Sequence, residues 1–157
     1  VYVAWGEKAP DVKTQYVRLA RSDDGGAHWS VSWHIVPDPV SANSIAPTDV
    51  APALAVMPSG TVCVAWHGIR DPDAIQAEEI LVTCSTDRGA TFGRVVNVSR
   101  STETISIRPV LAAGGDGTLH VAWQEYSKEN ESTIYQIYYA HTVPWVVHLP
   151  IITRSFQ

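Results

Sequence analysis

Ser22-Asp23-Asp24-Gly25-Gly26-Ala27-His28-Trp29 and Ser85-Thr86-Asp87-Arg88-Gly89-Ala90-Thr91-Phe92 are two copies of one turn, 63 residues apart. Both fit Ser-x-Asp-x-Gly-x-Thr-aromatic, with His28 at the Thr position of the first copy. The pattern has a physical basis. An Asp in a tight turn accepts hydrogen bonds from nearby backbone N–H groups, and Gly two residues later can take φ > 0. The Ser or Thr hydroxyl adds local bonds, and the aromatic ring fills the gap between neighbouring strands. Trp29 and Phe92 are therefore expected to pack against adjacent strands.

The repetition extends beyond these turns. Val3-Ala4-Trp5, Val64-Ala65-Trp66 and Val121-Ala122-Trp123 are three copies of one strand ending. Two keep an upstream partner, Pro52-Ala53-Leu54-Ala55-Val56 and Pro109-Val110-Leu111-Ala112-Ala113, each followed by a Gly-containing turn. From Pro52 to Pro109, Gly60 to Gly117 and Trp66 to Trp123 the offset is always 57. A fixed period of this size signals repeated supersecondary units, and short strands bounded by Gly and Pro point to propeller blades.

The expected fold is all-β, a partial β-propeller of four-stranded antiparallel blades with strands A to D. A blade remnant covers 1–36, with B at 1–5, C near 15–21 and D near 29–36, and no A. A complete blade covers 52–98, with strands near 52–57, 61–66, 79–85 and 91–98. A terminal blade covers 109–152, with strands near 109–113, 118–124 and 134–141. Its final strand is expected at Val146–Ile152, where Pro150 suits only an edge. Alternation supports these spans: Val62, Val64 and Trp66 share one face, Cys63 and Ala65 the other. Trp5, Trp66 and Trp123 are expected to lie largely buried between blades.

The two turns resemble the Asp-boxes, or bacterial neuraminidase repeats, of sialidase-type β-propellers. The resemblance implies that Ser22, Asp24, Gly26, Trp29, Ser85, Asp87, Gly89, Thr91 and Phe92 are structural. It places them in C–D turns, on the face opposite an active site. It also implies a six- or seven-bladed parent, of which this chain is a C-terminal piece of about two and a half blades. A propeller needs roughly 4–8 blades to close. The remaining blades are expected upstream, or the unit closes by association with other copies, since open sheet faces and edges are normally avoided.

Composition excludes several partners. Of 157 residues, 45% are apolar, and the formal net charge is −5 with no basic stripe, so nucleic acid is excluded. No apolar run approaches the ~20 residues of a membrane-spanning helix. No CxxC, HExxH or Asp-rich calcium loop occurs and the six His are scattered, so neither metal nor cofactor is expected. Cys63 and Cys84 fall on adjacent strands of the complete blade. They read as two small buried residues or as a cross-strand disulfide, two alternatives that sequence leaves open.

Chemistry is expected on the face carrying the B–C and D–A loops. Its most polar segment is His67-Gly68-Ile69-Arg70-Asp71-Pro72-Asp73. Arg70 can grip a carboxylate bidentately, and Asp71 or Asp73 can donate a proton to a leaving group. Arg108 opens the third blade's inner strand and resembles the Arg of the Arg-Ile-Pro element that holds the sialic acid carboxylate, although the intervening Ile is missing. Retaining sialidases pair a Tyr nucleophile with a Glu. Tyr126 with Glu125, or Tyr135 with Glu131, could imitate that pair. Two functions are therefore weighed. One is a secreted exo-glycosidase acting on sialic-acid-type glycans, with this chain alone inactive. The other is a non-catalytic extracellular repeat module for adhesion or binding.

Overall fold

The computed structural model describes residues 1–8, 14–31, 33–35, 41–42, 50–68, 78–101, 104–129, 132–142 and 154–156. Among these residues every regular element is a strand. The strands form three antiparallel sheets in chain order, a partial β-propeller. The first sheet contains β1 (Tyr2–Lys8), β2 (Thr14–Arg21), β3 (Trp33–His34) and β4 (Ser41–Ala42). Both short strands pair with β2, so among the described residues the first sheet is three strands wide with β1 at its edge. The second is the meander β5 (Ala53–Val56), β6 (Val62–Gly68), β7 (Glu79–Ser85) and β8 (Val96–Asn97). The third is β9 (Ile105–Ala113), β10 (Leu119–Glu129), β11 (Ser132–His141) and β12 (Arg154–Phe156).

The third sheet's boundaries differ from the sequence reading, with β9 starting at Ile105 and β10 running on to Glu129. The fourth strand of the third sheet is Arg154–Phe156, paired with Ile137–Tyr139. The expected Val146–Ile152 lies outside the described residues. Apolar content drew the expectation to that run, whereas an outer strand faces fewer neighbours and its hydropathy is a weak guide.

The repeated strand ending explains the stacking. β6 is buried along its whole length because each face meets another sheet. Val64, Trp66 and Leu81 pack with Val17, Leu19 and Ile35 of the first sheet side. Cys63, Ala65, Ile80 and Val82 pack instead with Leu119, Val121, Trp123 and Ala140 of the third. The alternation read from sequence therefore assigns each half of β6 to a different neighbour. Trp66 and Trp123 are 1% and 2% exposed. Trp5 is only half-buried, contrary to expectation, because among the described residues no second sheet stands against the face it shares with Val3.

Two local features fix this arrangement, one between the first two sheets and one within the second. A Cβ on Gly6 would lie 2.0 Å from the carbonyl oxygen of Val50, so only glycine admits the segment that enters the second sheet. The Val50 amide in turn donates to Gln15 Oε1 at 2.9 Å. Cys63 and Cys84 are direct cross-strand partners with Cα atoms 4.1 Å apart, joined as a disulfide. The bonded reading of this pair is the one the fold adopts.

The two signature turns share one hydrogen-bond scheme. In the first, Gly26 N donates to Ser22 Oγ (2.8 Å), Ser22 Oγ donates to Asp24 Oδ1 (2.7 Å), and His28 N donates to Asp24 Oδ1 (2.9 Å). In the second, Gly89 N donates to Ser85 Oγ (2.7 Å), Ser85 Oγ to Asp87 Oδ1 (2.6 Å), and Thr91 N to the same oxygen (2.8 Å). His28 Nδ1 lies 2.6 Å from Asp24 Oδ2, where Thr91 Oγ1 lies 2.5 Å from Asp87 Oδ2. The imidazole thus occupies the hydroxyl's place. These bonds favour the carboxylate form. The His28 amide, then its ring and Ser22, hold Asp24 down to about 2, and Ser85 and Thr91 hold Asp87 well below the ordinary Asp value.

The aromatic residues of the turns part company. Phe92 is half-buried against the core shared by the first two sheets. Trp29 is 44% exposed, which corrects the expectation that it packs against a neighbouring strand. The second turn leans onto the first sheet, placing Gly89 against Leu19 and Tyr2. Arg88 Nη2 bonds Asp23 Oδ1 at 2.6 Å, and Arg21 Nη2 lies 2.9 Å from Asp23 Oδ2. Among the described residues no other sheet stands against the first turn.

Candidate functional site

Antiparallel connection puts the signature turns at one end of the sheets and the β6–β7, β8–β9 and β10–β11 connections at the other. That second end holds the buried His and Glu side chains of the second and third sheets. His67, Glu78, Glu79, Ser106 and Glu125 are all buried there.

Glu79 opens β7 opposite Gly68, and its carboxylate fastens the segment after β8. Its Oε2 accepts from Ser101 N and Ser101 Oγ, each at 3.1 Å, and from Ser99 Oγ. Glu125 on β10 faces the same segment. Its Oε2 accepts from Trp123 Nε1 (3.1 Å) and Ser106 Oγ (3.3 Å), and its Oε1 from Thr104 Oγ1. Ser101 Oγ and Ser106 Oγ are 3.0 Å apart, so two hydroxyls join the two carboxylates. Two hydroxyl protons serve three contacts, so one of the three is without a proton at any moment. Buried carboxylates of this kind are tolerated because hydrogen bonds replace the lost water.

Beside this network, His67 Nε2 lies 3.8 Å from Glu78 Oε2. Across the sheet boundary, Tyr126 on β10 pairs with Tyr135 on β11, their ring centroids 5.9 Å apart. Burial first, then the negative field of Glu78 and the nearby Tyr135, push the Tyr126 phenol above its usual value. At neutral pH Tyr126 is thus a protonated hydrogen-bond donor, not a phenolate.

The sequence-predicted residues fare unequally. Arg70, Asp71 and Asp73 lie outside the described residues, as does Glu131. Glu125 and Tyr126 are adjacent, but successive residues on a strand point to opposite faces, and no hydrogen bond joins them among the described residues. Arg108 is exposed at a break in the β9–β10 register, with φ 54°. Pro109 beside it has no N–H for the ladder, which accounts for the irregularity. The Arg108 guanidinium reaches Gln124 Oε1 at 3.4 Å. None of the four described candidates, Arg108, Glu125, Tyr126 and Tyr135, shares a hydrogen bond with another.

Glu78 and Glu79 lay inside the polar loop stretch of the sequence without standing out from it. The one signal was an acid doublet immediately before the apolar run Ile80-Leu81-Val82. Ser101, Thr104 and Ser106 carried no signal, since hydroxyl-rich stretches are ordinary loop composition. Among the described residues no three His, Cys, Asp or Glu side chains group as metal ligands.

Neither a protein-family profile nor a characterised protein sequence matches the chain. Solved structures do match in shape. An α-L-arabinofuranosidase from Fusarium graminearum, bound to an iminosugar inhibitor, superposes with TM-score 0.71 at 13% identity over 99% of this chain and 44% of its own. An α-L-arabinanase from Penicillium chrysogenum, complexed with arabinobiose, gives 0.66 at 16% identity with the same shares, 99% and 44%. A Hadza microbial sialidase gives 0.55 at 16% identity over 88% of this chain and 35% of its own. At such identities the likeness is one of fold. The chain spans less than half the length of these glycosidases, and its partial propeller is built as theirs is.

Proposed function

We propose that this chain is one side of a glycan-directed, extracellular β-propeller, and that the complete ring is an exo-glycosidase of the sialidase type acting on sialic-acid-type glycans. The observation that carries the reading is the collection of His67, Glu78, Glu79, Glu125 and Tyr126 at the loop-bearing end of two adjacent sheets. Clefts that bind small polar ligands combine a rigid scaffold with a few convergent polar groups. Here the Glu79–Ser101–Ser106–Glu125 chain braces the end of the sheets, and the half-buried Tyr126 stands beside it as a group that can reach a ligand. Tyr126, held protonated, donates to a sugar oxygen. Arg70 and Arg108 are proposed to grip the substrate carboxylate, and Asp71 or Asp73 to protonate the departing oxygen. The Asp residues of the two signature turns are proposed to be structural Asp-box residues. The disulfide Cys63–Cys84 supports an oxidising, extracellular setting.

The test is hydrolysis of a fluorogenic sialoside by the whole protein, with an α-L-arabinofuranoside in parallel. Turnover of the sialoside that falls on Arg108→Ala and on Tyr126→Phe supports the reading. Turnover of the arabinofuranoside alone reassigns the sugar.

A second reading, a non-catalytic glycan-binding or adhesion module, is favoured by one observation. Glu125 is occupied by three donors and is not presented to a ligand. Glycan binding without turnover of either substrate would select it.

A further inference from the structure

The strand that opens the third sheet carries a bulge, and one buried side chain reaches both sides of it. β9 and β10 pair regularly from Ile105 with Tyr126 to Ile107 with Gln124, and again from Val110 with Ala122 onward. Between these stretches Arg108 and Pro109 oppose the single residue Trp123, the two-against-one count of a β-bulge. Arg108, the first residue of the bulge, has φ 54°, a left-handed conformation that this position ordinarily gives to glycine. A non-glycine residue keeps such a conformation only where its surroundings over-determine it, and such residues cluster at ligand sites.

Glu125 supplies that determination. It is the cross-strand partner of Ser106, two residues before Arg108, and its Oε2 accepts from Ser106 Oγ at 3.3 Å. The same oxygen accepts from Nε1 of Trp123, the residue opposite the bulge, at 3.1 Å. Its Oε1 accepts from the hydroxyl of Thr104, one residue before β9. Ser106, Trp123 and Glu125 are all buried, which strengthens these bonds. A one-residue slip of β9 would carry Ser106 to the opposite face, so its bond to Glu125 pins the register up to the bulge. The second sheet supplies the comparison. At the 57-residue offset, Gly68 stands in the place of Glu125 and Ala51 in that of Arg108. Among the described residues the non-glycine positions with positive φ are Arg88, Arg100 and Arg108, and Ala51 is not one of them. Of these two equivalent positions, the left-handed one is in the sheet that has the Glu.

The bulge changes where the guanidinium goes. In an unbroken ladder Arg108 would stand opposite Trp123 and share its buried face. Instead its Nη1 donates to Gln124 Oε1 at 3.4 Å, and Gln124 shares a face of β10 with Tyr126. We propose that Glu125 is a positioning residue. By bonding Ser106 and Trp123 on the two strands of the bulge, it holds Arg108 left-handed and turns the guanidinium to the Tyr126 face, where an acidic sugar is gripped. The grip rests on the glycan-directed reading above; the hold on the bulge does not.

Two measurements on the whole protein separate these parts. The first is urea unfolding. With Glu125 present, the folding constant of Arg108→Gly should exceed that of Arg108→Ala by roughly 5-fold or more, because alanine is strained at positive φ. In a Glu125→Ala background that preference should vanish. The second is the kinetics of a fluorogenic sialoside. Glu125→Ala should raise KM about 10-fold with kcat little changed, and combining it with Arg108→Ala should be no worse than Arg108→Ala alone. Glu125→Gln, which keeps an acceptor oxygen, should recover most of the wild-type KM. If Glu125→Ala does not fold, Ser106→Ala cuts the same cross-strand bond and takes its place. A glycine preference at position 108 that survives the loss of this bond would overturn the hold on the bulge. Additive KM losses, or a fall in kcat alone, would overturn the positioning of Arg108. A wild-type protein that turns over no sialoside would overturn the grip together with the glycosidase reading, while the unfolding comparison still decides for or against the hold.

Discussion

Replacing two equivalent tryptophans by phenylalanine separates packing from hydrogen bonding at the sheet boundaries. Trp66 and Trp123 hold the same position in successive sheets and are buried to the same degree, so Trp→Phe removes the same atoms from similar surroundings. Their indole N–H groups differ. Trp123 Nε1 donates to Glu125 Oε2 at 3.1 Å, whereas Trp66 Nε1 has no acceptor among the described residues. The cause lies two residues on, where the third sheet has Glu125 and the second has Gly68. A hydrogen bond to a charged group contributes about 1.5–3 kcal/mol, and a buried unsatisfied donor costs about 1–3 kcal/mol. The packing losses cancel in the comparison, so Trp123→Phe should destabilise by about 2–4 kcal/mol more than Trp66→Phe. At about 2–4 °C per kcal/mol for a chain of this size, the melting temperatures should differ by roughly 5–15 °C. Urea unfolding followed by far-UV circular dichroism gives both values, with Glu125→Gln as a control that should shrink the difference. Equal destabilisation by the two substitutions would refute the assignment of the bond.

Three further outcomes follow from the geometry. Reducing the Cys63–Cys84 disulfide, which closes a separation of 21 residues, should cost about 3 kcal/mol on the loop-entropy model, read as a lower urea midpoint in dithiothreitol; alkylation under native, non-reducing conditions should label no thiol. The lowered pKa values of Asp24 and Asp87 mean that their contribution is fully present above the unfolded Asp value of about 3.9 and is lost as pH falls through the folded values. Stability should therefore decline between about pH 4 and 2, and the double substitution Asp24→Asn, Asp87→Asn should flatten that decline in acid titrations followed by circular dichroism. The purified chain, tested alone, should not release fluorophore from a sialoside; turnover abolished by Arg108→Ala or Tyr126→Phe would contradict this, since a misplacement of about 1 Å already costs about 10²-fold.

The blades were legible in sequence because their determinants are local and repeated. The 57-residue offset, the Val-Ala-Trp endings and the Gly-containing turns each act through a few neighbouring residues, and all point to one supersecondary unit. The half-exposure of Trp5 was not legible, because burial of a strand face depends on what stands beside it. Trp29 diverged from Phe92 for the same reason: Phe92 meets a core to which the first sheet contributes, and Trp29 belongs to the first sheet itself. The site was less legible still. Glu125 and Tyr126 look like a pair on paper, but strand geometry sends them to opposite faces. The Glu79–Ser101–Ser106–Glu125 chain joins residues from separate elements whose approach only the fold supplies.

The disulfide and β6 together set the order in which this chain comes apart. β6 has a sheet against each of its faces, and Cys63–Cys84 ties it to β7. Its amides can reach deuterated solvent only when both neighbouring sheets have left, so Val64, Ala65 and Trp66 should exchange at the rate of global opening. The amides of β1 and β11, each with no second sheet against one face among the described residues, should exchange earlier through partial openings that leave the middle sheet intact. The outer sheets would then be the places where another propeller sheet could be gained or lost while the centre of the stack keeps its structure.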